Sequence, residues 1–261
     1  MTRTNGQAVT PAQVVRSAVI LAAGAGTRIA SETSDPKSLL AVCGKSLIRH
    51  HLEHLAALGF EEVVLVVGYR KELLLSHLAD HSFGVGIRTV VNEDFRRLGN
   101  GVSLCLGLEH VTGPCIVIDG DLIYDRDVMA RFLKGDPEDC ILVGPGEMAD
   151  IESTKTVTNG TGHVTSLADK RALLPHEEEG FLGEAMGVLM FTKEGRRALL
   201  RSAERFFGDG GNLLKNWEYL INFCLRDQPL VARFIDTGRW IEIDTPEDYA
   251  EARRLFERDV Q

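Results

Sequence analysis

The sequence predicts an α/β domain: a mixed, mostly parallel sheet flanked by helices, with a small β-rich insertion. Three observations carry this. Short apolar runs stopped by glycine or aspartate recur through the first half, as buried parallel strands do. Segments with helical apolar spacing alternate with them, which implies right-handed crossovers. After about residue 140 the alternation gives way to hairpin signals.

Residues 1–15 are polar and aperiodic and read as a loose tail before a single domain over 16–261. Ser17 to Ala23 (SAVILAA) reads as the first buried strand. Leu47, Ile48, Leu52, Leu55 and Leu58 mark a helix over Ser46 to Leu58 with Gly59 as its C-terminal stop. Glu62 to Val67, Ile87 to Val91 and Cys115 to Ile118 read as strands, with helices over Lys71 to Ala79 and Val102 to His110 between them. Ligands gather outside the carboxyl ends of such strands, which singles out the loops after residues 23, 67, 92 and 118. Further on, Asn159-Gly160 marks a hairpin within Thr154 to Leu167, and Gly187 to Phe191 reads as a strand. Helices are expected over Lys193 to Phe207 and Asn212 to Leu225, and strands over Pro229 to Asp236 and Trp240 to Ile243. A last helix, Pro246 to Arg258, has Thr245 at its N-cap and Asp248 at N3, an Asp variant of the capping box.

Lys and Arg number 29 against 38 Asp and Glu, a net charge of −9, which argues against binding nucleic acid through its phosphates. No segment approaches the roughly 18 apolar residues a membrane span needs. The run Ala18 to Ala25 is short and follows a polar tail and Arg16, so neither signal nor anchor is expected. The five cysteines form no C-x-x-C pair and are expected to be buried small hydrophobes in a reducing cytoplasm.

The first strand runs into Leu21-Ala22-Ala23-Gly24-Ala25-Gly26-Thr27-Arg28. Glycine there lets backbone N–H groups approach an anion. A dinucleotide fingerprint fails because Ile29 stands at the third glycine position; a P-loop fails because Leu39 stands five residues before Gly44-Lys45-Ser46. Asp35-Pro36-Lys37 follows a loop later, so Arg28 can offer a planar fork and Lys37 a point charge to a triphosphate.

LAAGAGTR followed by PKSLL resembles the signature of the nucleotidyltransferases that activate sugar phosphates and small phosphorylated alcohols. Gly99-Asn100-Gly101-Val102-Ser103-Leu104, Ile118-Asp119-Gly120-Asp121 and Trp240-Ile241-Glu242-Ile243-Asp244 narrow the likeness to cytidylyltransferases for phosphocholine, aminoethylphosphonate or inositol phosphate. The resemblance implies a Rossmann-like nucleotide-diphospho-sugar transferase fold, divided into a nucleotide-binding part over 16–140 and an acceptor-binding, metal-completing part over 141–261. It implies transfer of CMP from CTP to a small phosphorylated or phosphonate acceptor, with release of pyrophosphate. Hexose-1-phosphate or molybdopterin nucleotidyltransferases using UTP, GTP or dTTP, and a catalytically silent nucleotide binder, stay open. A homodimer is also left open.

Asp119 and Asp121 sit at a strand's carboxyl end and alternation puts them on one face. Two converging carboxylates need a cation or positive partners, and Mg²⁺ takes oxygen ligands and substrate phosphates; a loop-capping Asp with a solvated neighbour is the other reading. Glu242 and Asp244 alternate the same way, with Ile241 and Ile243 toward the core. The resemblance implies that Asp121 and Asp244 hold Mg²⁺ with Glu242 near or in that shell. Asn100 and Ser103 either read the base or ribose or cap a helix, and Gly68-Tyr69-Arg70 could line the base pocket. The related enzymes place a lysine comparable to Lys155 near the transferring phosphate, and Glu184 matches their pattern as an acceptor contact. Lys155 competes with an ordinary role as a solvated strand lysine, and an anionic Glu184 would suit a cationic acceptor head such as choline or an amine. His50, His51 and His54 read as a solvated helix face, and Glu177-Glu178-Glu179 as an exposed loop.

Overall fold

The computed structural model describes residues 14–79, 81–208 and 210–257; all of the expected N-terminal tail except Val14 and Val15 lies outside these. In chain order the main elements are β1 (Ser17–Ala22), β2 (Ala41–Val42), β3 (Lys45–Ser46), α1 (Leu47–Ala57), β4 (Glu62–Val67), α2 (Lys71–Ala79), β5 (Gly86–Val91), α3 (Asn100–Glu109), β6 (Cys115–Asp119), β7 (Leu122–Tyr124) and α4 (Arg126–Phe132). The second half adds β8 (Cys140–Gly144), β9 (Lys155–Thr158), β10 (Val164–Ala168), β11 (Phe181–Phe191), α5 (Lys193–Phe207), α6 (Trp217–Cys224), β12 (Val231–Phe234), β13 (Trp240–Glu242) and α7 (Pro246–Phe256).

The main sheet runs β10-β9-β11-β6-β1-β4-β5, with β8 on β11 and β12 on β8. It is parallel from β6 through β1 and β4 to β5, and antiparallel around β11. Alternation assigns the two faces. Ala18, Ile20 and Ala22 pack with Ile48, Leu52 and Leu55 of α1 and Leu74 of α2. Val19, Leu21 and Ala23 pack with Leu104 of α3, Leu199 of α5 and Trp217 of α6. Strands covered on both faces must be apolar throughout, which is why the first strands show no polar alternation. A third cluster joins Ile29, Leu40 and Val42 to Ile243, Ala252 and Phe256, tying α7 to the loop after β1.

The helix ends follow their capping chemistry. Ser46 accepts from the Arg49 N–H, and Gly59 follows α1 at φ +84°. Thr245 and Asp248 close a reciprocal capping box on α7.

Several expectations need correction. The helix expected from Asn212 begins only at Trp217, because Asn216 is the N-cap and residues 212–215 turn instead to meet α3, where the Gly99 N–H bonds the Leu213 carbonyl at 2.8 Å. β11 starts at Phe181 rather than Gly187; the strand bends at Gly187, whose φ of +66° is a left-handed value that suits glycine. β7, β8 and α4 have no counterpart in the sequence reading. His51 is buried against Tyr124, and His50 bonds the Val42 carbonyl at 2.8 Å, so the histidine face is packed rather than solvated. Burial lowers His51 to about 3 and, with His50 adding repulsion, His54 to about 4. Glu177 is buried too, gripped by both Arg171 guanidinium nitrogens at 2.7 Å. None of the five cysteines is in a disulfide; Cys115, Cys140 and Cys224 are buried, and Cys43 and Cys105 are half-buried. Among the described residues no helix is long and apolar enough to cross a membrane.

Candidate active site

The glycine turn leaves β1 at the carboxyl edge of the sheet. Gly26 adopts φ 58°, ψ 45°, and its chain then makes a single 3₁₀ turn, Thr27–Ile29. Ile29 is fully buried and anchors that turn, which sends Arg28 outward. A second 3₁₀ turn begins at Lys37, directly after Pro36. The Tyr69 hydroxyl donates to the Ser34 carbonyl at 2.9 Å, and Arg70 bonds the same carbonyl and the Asp35 carboxylate. Tyr69 and Arg70 therefore clamp the loop that carries Lys37, and Tyr69 does not line the cavity expected of it.

Asp119 ends β6, and Gly120 hydrogen-bonds back to the Leu21 carbonyl, so Asp121 emerges beside the glycine turn. The meeting with the distant C-terminal acids is a backbone event. β13 pairs antiparallel with β7, with Glu242 opposite Leu122, and the Ile243 N–H bonds the Asp121 carbonyl at 3.0 Å. Ile243 is buried as alternation requires, and its neighbours Glu242 and Asp244 turn toward the cavity. One oxygen from each of Asp121, Glu242 and Asp244 lies within 4.8 Å of the others.

Three cations surround Asp244. Lys37 Nζ lies 2.6 Å from Asp121 and 2.7 Å from Asp244, Lys170 Nζ lies 2.8 Å from Asp244, and Arg28 also bonds it. Burial works to raise the Asp244 carboxyl, but Lys37 and Lys170 outweigh it and hold it well below the ordinary carboxylate range. For Glu242 burial, reinforced by Asp121 and Asp244, wins and pushes the carboxyl well up. Asp119 is pushed up likewise, by burial and then by Asp121, while its Oδ2 accepts from the Trp217 indole at 3.2 Å. Asp121 Oδ1 is buried with no hydrogen-bond partner among the described residues, the state a carboxylate oxygen awaiting a cation would show.

The cavity has two compartments of about 260 and 240 Å³, which share Leu21, Gly24, Arg28, Asp121 and Asp244. Ala22, Gly26, Thr27 and Lys37 line the smaller. The larger has Ala23, Asn100, Ser103 and Asp119 on its wall, and Ala25 lines neither. Asn100 Oδ1 accepts the Trp217 N–H at 2.8 Å, so it caps α6 while facing the cavity. Ser103 accepts from Asn92 at 3.0 Å.

Two expected residues sit elsewhere. Lys155 is fully buried, and its ammonium bonds the carbonyls of Asp150 and Ser153 rather than entering the cavity. It steadies the loop whose Glu152 approaches Arg28 at 3.7 Å. Glu184 lies beside Lys155 across the β11–β9 ladder, off the cavity wall; burial and then Asp150 push its carboxyl up to about 7. The residues the sequence reading missed are Lys170, Asp169, Asn216 and Glu218. Lys170 takes a left-handed φ of 46°, uncommon for lysine, at the turn that swings it to Asp244. Glu218 is buried, and burial followed by Asp169 pushes its carboxyl up to about 8.

Comparison with known proteins agrees with this picture. The chain is 29% identical over 254 residues to the CMP-5'-(3-aminopropyl)phosphonate synthase of Streptomyces rubellomurinus, covering 95% of this chain but only 40% of that protein's length. It is 32% identical over 161 residues to the UTP–glucose-1-phosphate uridylyltransferase of Haloferax volcanii, 59% of this chain and 64% of that protein. In fold it matches the inositol-1-phosphate CTP transferase of T. maritima with a TM-score of 0.73, at 23% identity and covering 95% of this chain and 98% of that one. The model of the MobA-like NTP transferase domain matches residues 18–214, well over half of the chain, and the protein belongs to that family.

Proposed function

We propose that this chain is a Mg²⁺-dependent cytidylyltransferase that transfers CMP from CTP to a small phosphorylated alcohol or phosphonate. The observation that carries the reading is the convergence of Asp121, Glu242 and Asp244 within 4.8 Å beside the glycine turn and Arg28. Three oxygens at that spacing, one of them on an unpartnered Asp121 edge, suit a hard divalent ion. When bound, the ion would polarise the α-phosphate and template both substrates.

The protein's own groups do the rest. The glycine turn offers backbone N–H groups and Arg28 a planar fork to the phosphates. Lys37 and Lys170, parked on Asp244, can follow charge that develops on the bridging oxygen. The acceptor oxygen is already anionic, so no side chain has to take a proton. It forms a bond to the α-phosphorus as the α–β bridging bond breaks, and pyrophosphate leaves with the electron pair. The net charge of −9 does not defeat binding of a polyanion, because exposed charges beyond about 8 Å are largely screened while those in the cavity act at contact.

Cytidine is favoured by the motif likeness and by the CMP-phosphonate synthase among the relatives. The uridylyltransferase relative keeps a sugar-1-phosphate enzyme as the second reading. Pyrophosphate release should be screened with CTP, UTP, GTP and ATP against phosphocholine, aminoethylphosphonate, hydroxyethylphosphonate, inositol phosphate and glucose 1-phosphate. We expect release with CTP and a small acceptor, abolished by chelator. Release confined to UTP or GTP with the hexose phosphate would replace it by the second reading; no release with any pair would leave a nucleotide-binding protein.

A further inference from the structure

The acids of the site meet on a small ribbon. β7 and β13 form a two-stranded sheet apart from the main one, with three rungs: Trp240 opposite Tyr124, Ile241 opposite Ile123 and Glu242 opposite Leu122. Two strands this short are marginal by themselves. No hairpin joins them, because everything from α4 to β12 lies between them in the chain, so no turn fixes their register. Register decides which side chains reach the cavity. A slip of one residue would turn Glu242 and Asp244 toward the core and bring Ile243 into the site.

Each end of the ribbon is closed. At the cavity end the Ile243 N–H bonds the Asp121 carbonyl. At the far end the Asp125 N–H bonds the Arg239 carbonyl at 2.8 Å, and the Arg239 N–H bonds Asp125 Oδ2 at 2.8 Å. The Arg239 guanidinium folds onto the same carboxylate, donating from Nε to Oδ2 at 3.1 Å and from Nη2 to Oδ1 at 2.9 Å. A planar fork grips both carboxylate oxygens at once, which an ammonium cannot do. Burial works to raise the Asp125 carboxyl, but the bonds from Arg239 outweigh it and hold it below its ordinary range. The chain enters this clasp through Gly238, at a left-handed φ of +97° and so close to Val128 that a Cβ would lie 2.5 Å from it.

Arg239 also reaches α7. Its Nη1 donates to the Leu255 carbonyl at 2.9 Å, and its guanidinium lies over the Phe256 ring, 5.0 Å from the centroid. At the other end of α7, Asp248 accepts from the Asp244 N–H at 3.0 Å. Arg239 thus joins the two elements that set Asp244, the ribbon before it and the helix after it. Arg239 and Asp125 line neither compartment of the site; they face a separate hollow of about 470 Å³ with His54, Arg126 and Thr237. Four residues of strand separate Asp125 from Asp121, a span of about 13 Å. What the clasp does for the site it does through the backbone.

We propose that Arg239 is a positioning residue: its fork on Asp125 locks the register of β7 against β13 and so holds Glu242 and Asp244 opposite Asp121, within 4.8 Å of one another. This rests on reading those three acids as the divalent-ion cluster and adds the residue that assembles them.

The test reads the ion affinity of the folded protein, not only its stability. Mn²⁺ is titrated onto the full chain and followed by electron paramagnetic resonance in wild type, R239Q, R239K and D125N, each at a temperature where circular dichroism shows it folded. R239Q is expected to weaken Mn²⁺ binding about tenfold or more, the usual effect of removing a group that orients metal ligands from outside. R239K keeps the charge without the fork and D125N keeps one acceptor, so both should fall between R239Q and wild type. E138Q removes a comparable fork, that of Arg233 on Glu138 at 2.8 and 2.7 Å, which belongs to β12 rather than to the ribbon. It should lower the unfolding midpoint and leave Mn²⁺ affinity unchanged. Pyrophosphate release lost in R239Q should return as Mg²⁺ is raised. Unchanged Mn²⁺ affinity in R239Q, an equal loss in E138Q, or a wild-type chain that takes up no Mn²⁺ would overturn the proposal. If R239Q does not fold, R239K and D125N decide, and wild-type affinity in both would overturn it. Failure of the cytidylyltransferase reading looks different: no pyrophosphate from CTP, with the loss of Mn²⁺ affinity in R239Q intact.

Discussion

The two halves of the sheet present the site in different ways. In the parallel half, β1 and β6 end at the same edge, and whatever follows them is delivered there: the glycine turn after β1, Asp119 and Asp121 after β6. In the antiparallel half, side chains reach the site only through register. β11 shifts register against β9 between Phe181 and Gly183, and against β8 between Ala185 and Leu189. The shift against β9 is a single residue, which turns a side chain to the opposite face, while that against β8 spans two. Parallel strands therefore let position along the chain stand in for position in space, whereas antiparallel strands with bulges do not.

Removing Asp121 is the largest test of this contrast. Asp121→Asn keeps the size and the backbone bond to Ile243 but removes the charge from the three-carboxylate cluster. Turnover should fall by about a hundredfold or more, and binding of Mn²⁺ should weaken with it. A variant that retains more than about a tenth of the wild-type rate would take Asp121 out of the metal cluster and break the parallel half of the comparison.

The two lysines of the antiparallel half sharpen it. Lys170→Ala should lower kcat by about tenfold or more, as loss of a charge at a developing anion does, and change stability by no more than about 0.5 kcal/mol. Lys155→Ala should do the reverse, costing about 2–4 kcal/mol of stability, because it empties a fully buried site and orphans the Asp150 carbonyl. Denaturant midpoints and initial rates on the two variants would settle which lysine belongs to the chemistry. Equal rate losses at unchanged stability would restore Lys155 to the cavity.

What was legible follows the same line. The strands β1, β4 and β6, the cap of α1 and the capping box of α7 are local, and hydrophobic runs and cap residues display them. Asp121 and Asp244 could be named because the DGD and EID patterns each close a strand, though their meeting depends on one backbone bond, Ile243 to Asp121, that no spacing reveals. Lys170 and Glu218 carry no such mark. One is a lone lysine after a hairpin and the other an acid in the first turn of a helix, a position acids take for capping reasons alone. Glu184 and Lys155, by contrast, matched a pattern in a region where the bulges of β11 decide the facing.

Acid separates the halves by pH. His51 and His54, in the parallel half, are held at about 3 and about 4 when folded, against an ordinary 6.5, so the unfolded chain binds protons first. The histidine contribution should therefore be complete above about pH 6.5 and fall as pH drops toward 4, by a few kcal/mol in all, while Glu184 and Glu218, raised to about 7 and about 8, act in the opposite direction over the same range. In the antiparallel half the Arg171 fork holds the Glu177 carboxyl down to about 2 from an ordinary 4.5, so its contribution is present above about 4.5 and lost only below it. Unfolding midpoints of wild type and variants measured from pH 7.5 to 4 should show, by difference, the first loss and little of the second. A His51→Gln variant should flatten the upper part of the curve, and Glu177→Gln, which costs about 1–3 kcal/mol, should leave its shape unchanged. A difference between wild type and His51→Gln that stays constant from pH 7.5 down to 5 would show that His51 stays solvated in solution.

The smallest effect tests a residue on the rim of the parallel half. Tyr69 donates one exposed hydrogen bond to the Ser34 carbonyl, and Arg70 bonds the same carbonyl at 3.0 Å. Tyr69→Phe removes one of two supports from the loop that carries Lys37, while its ring stays against Phe95. The expected cost is at most about 0.5–1 kcal/mol of loop order, felt as a two- to fivefold rise in KM for the nucleotide with kcat little changed. If the phenol instead held the base, its loss would raise KM about tenfold or more and alter the preference between CTP and UTP. A base preference that does not move with this substitution keeps Tyr69 in the clamp and leaves base selection to the wall formed by Asn100 and Ser103.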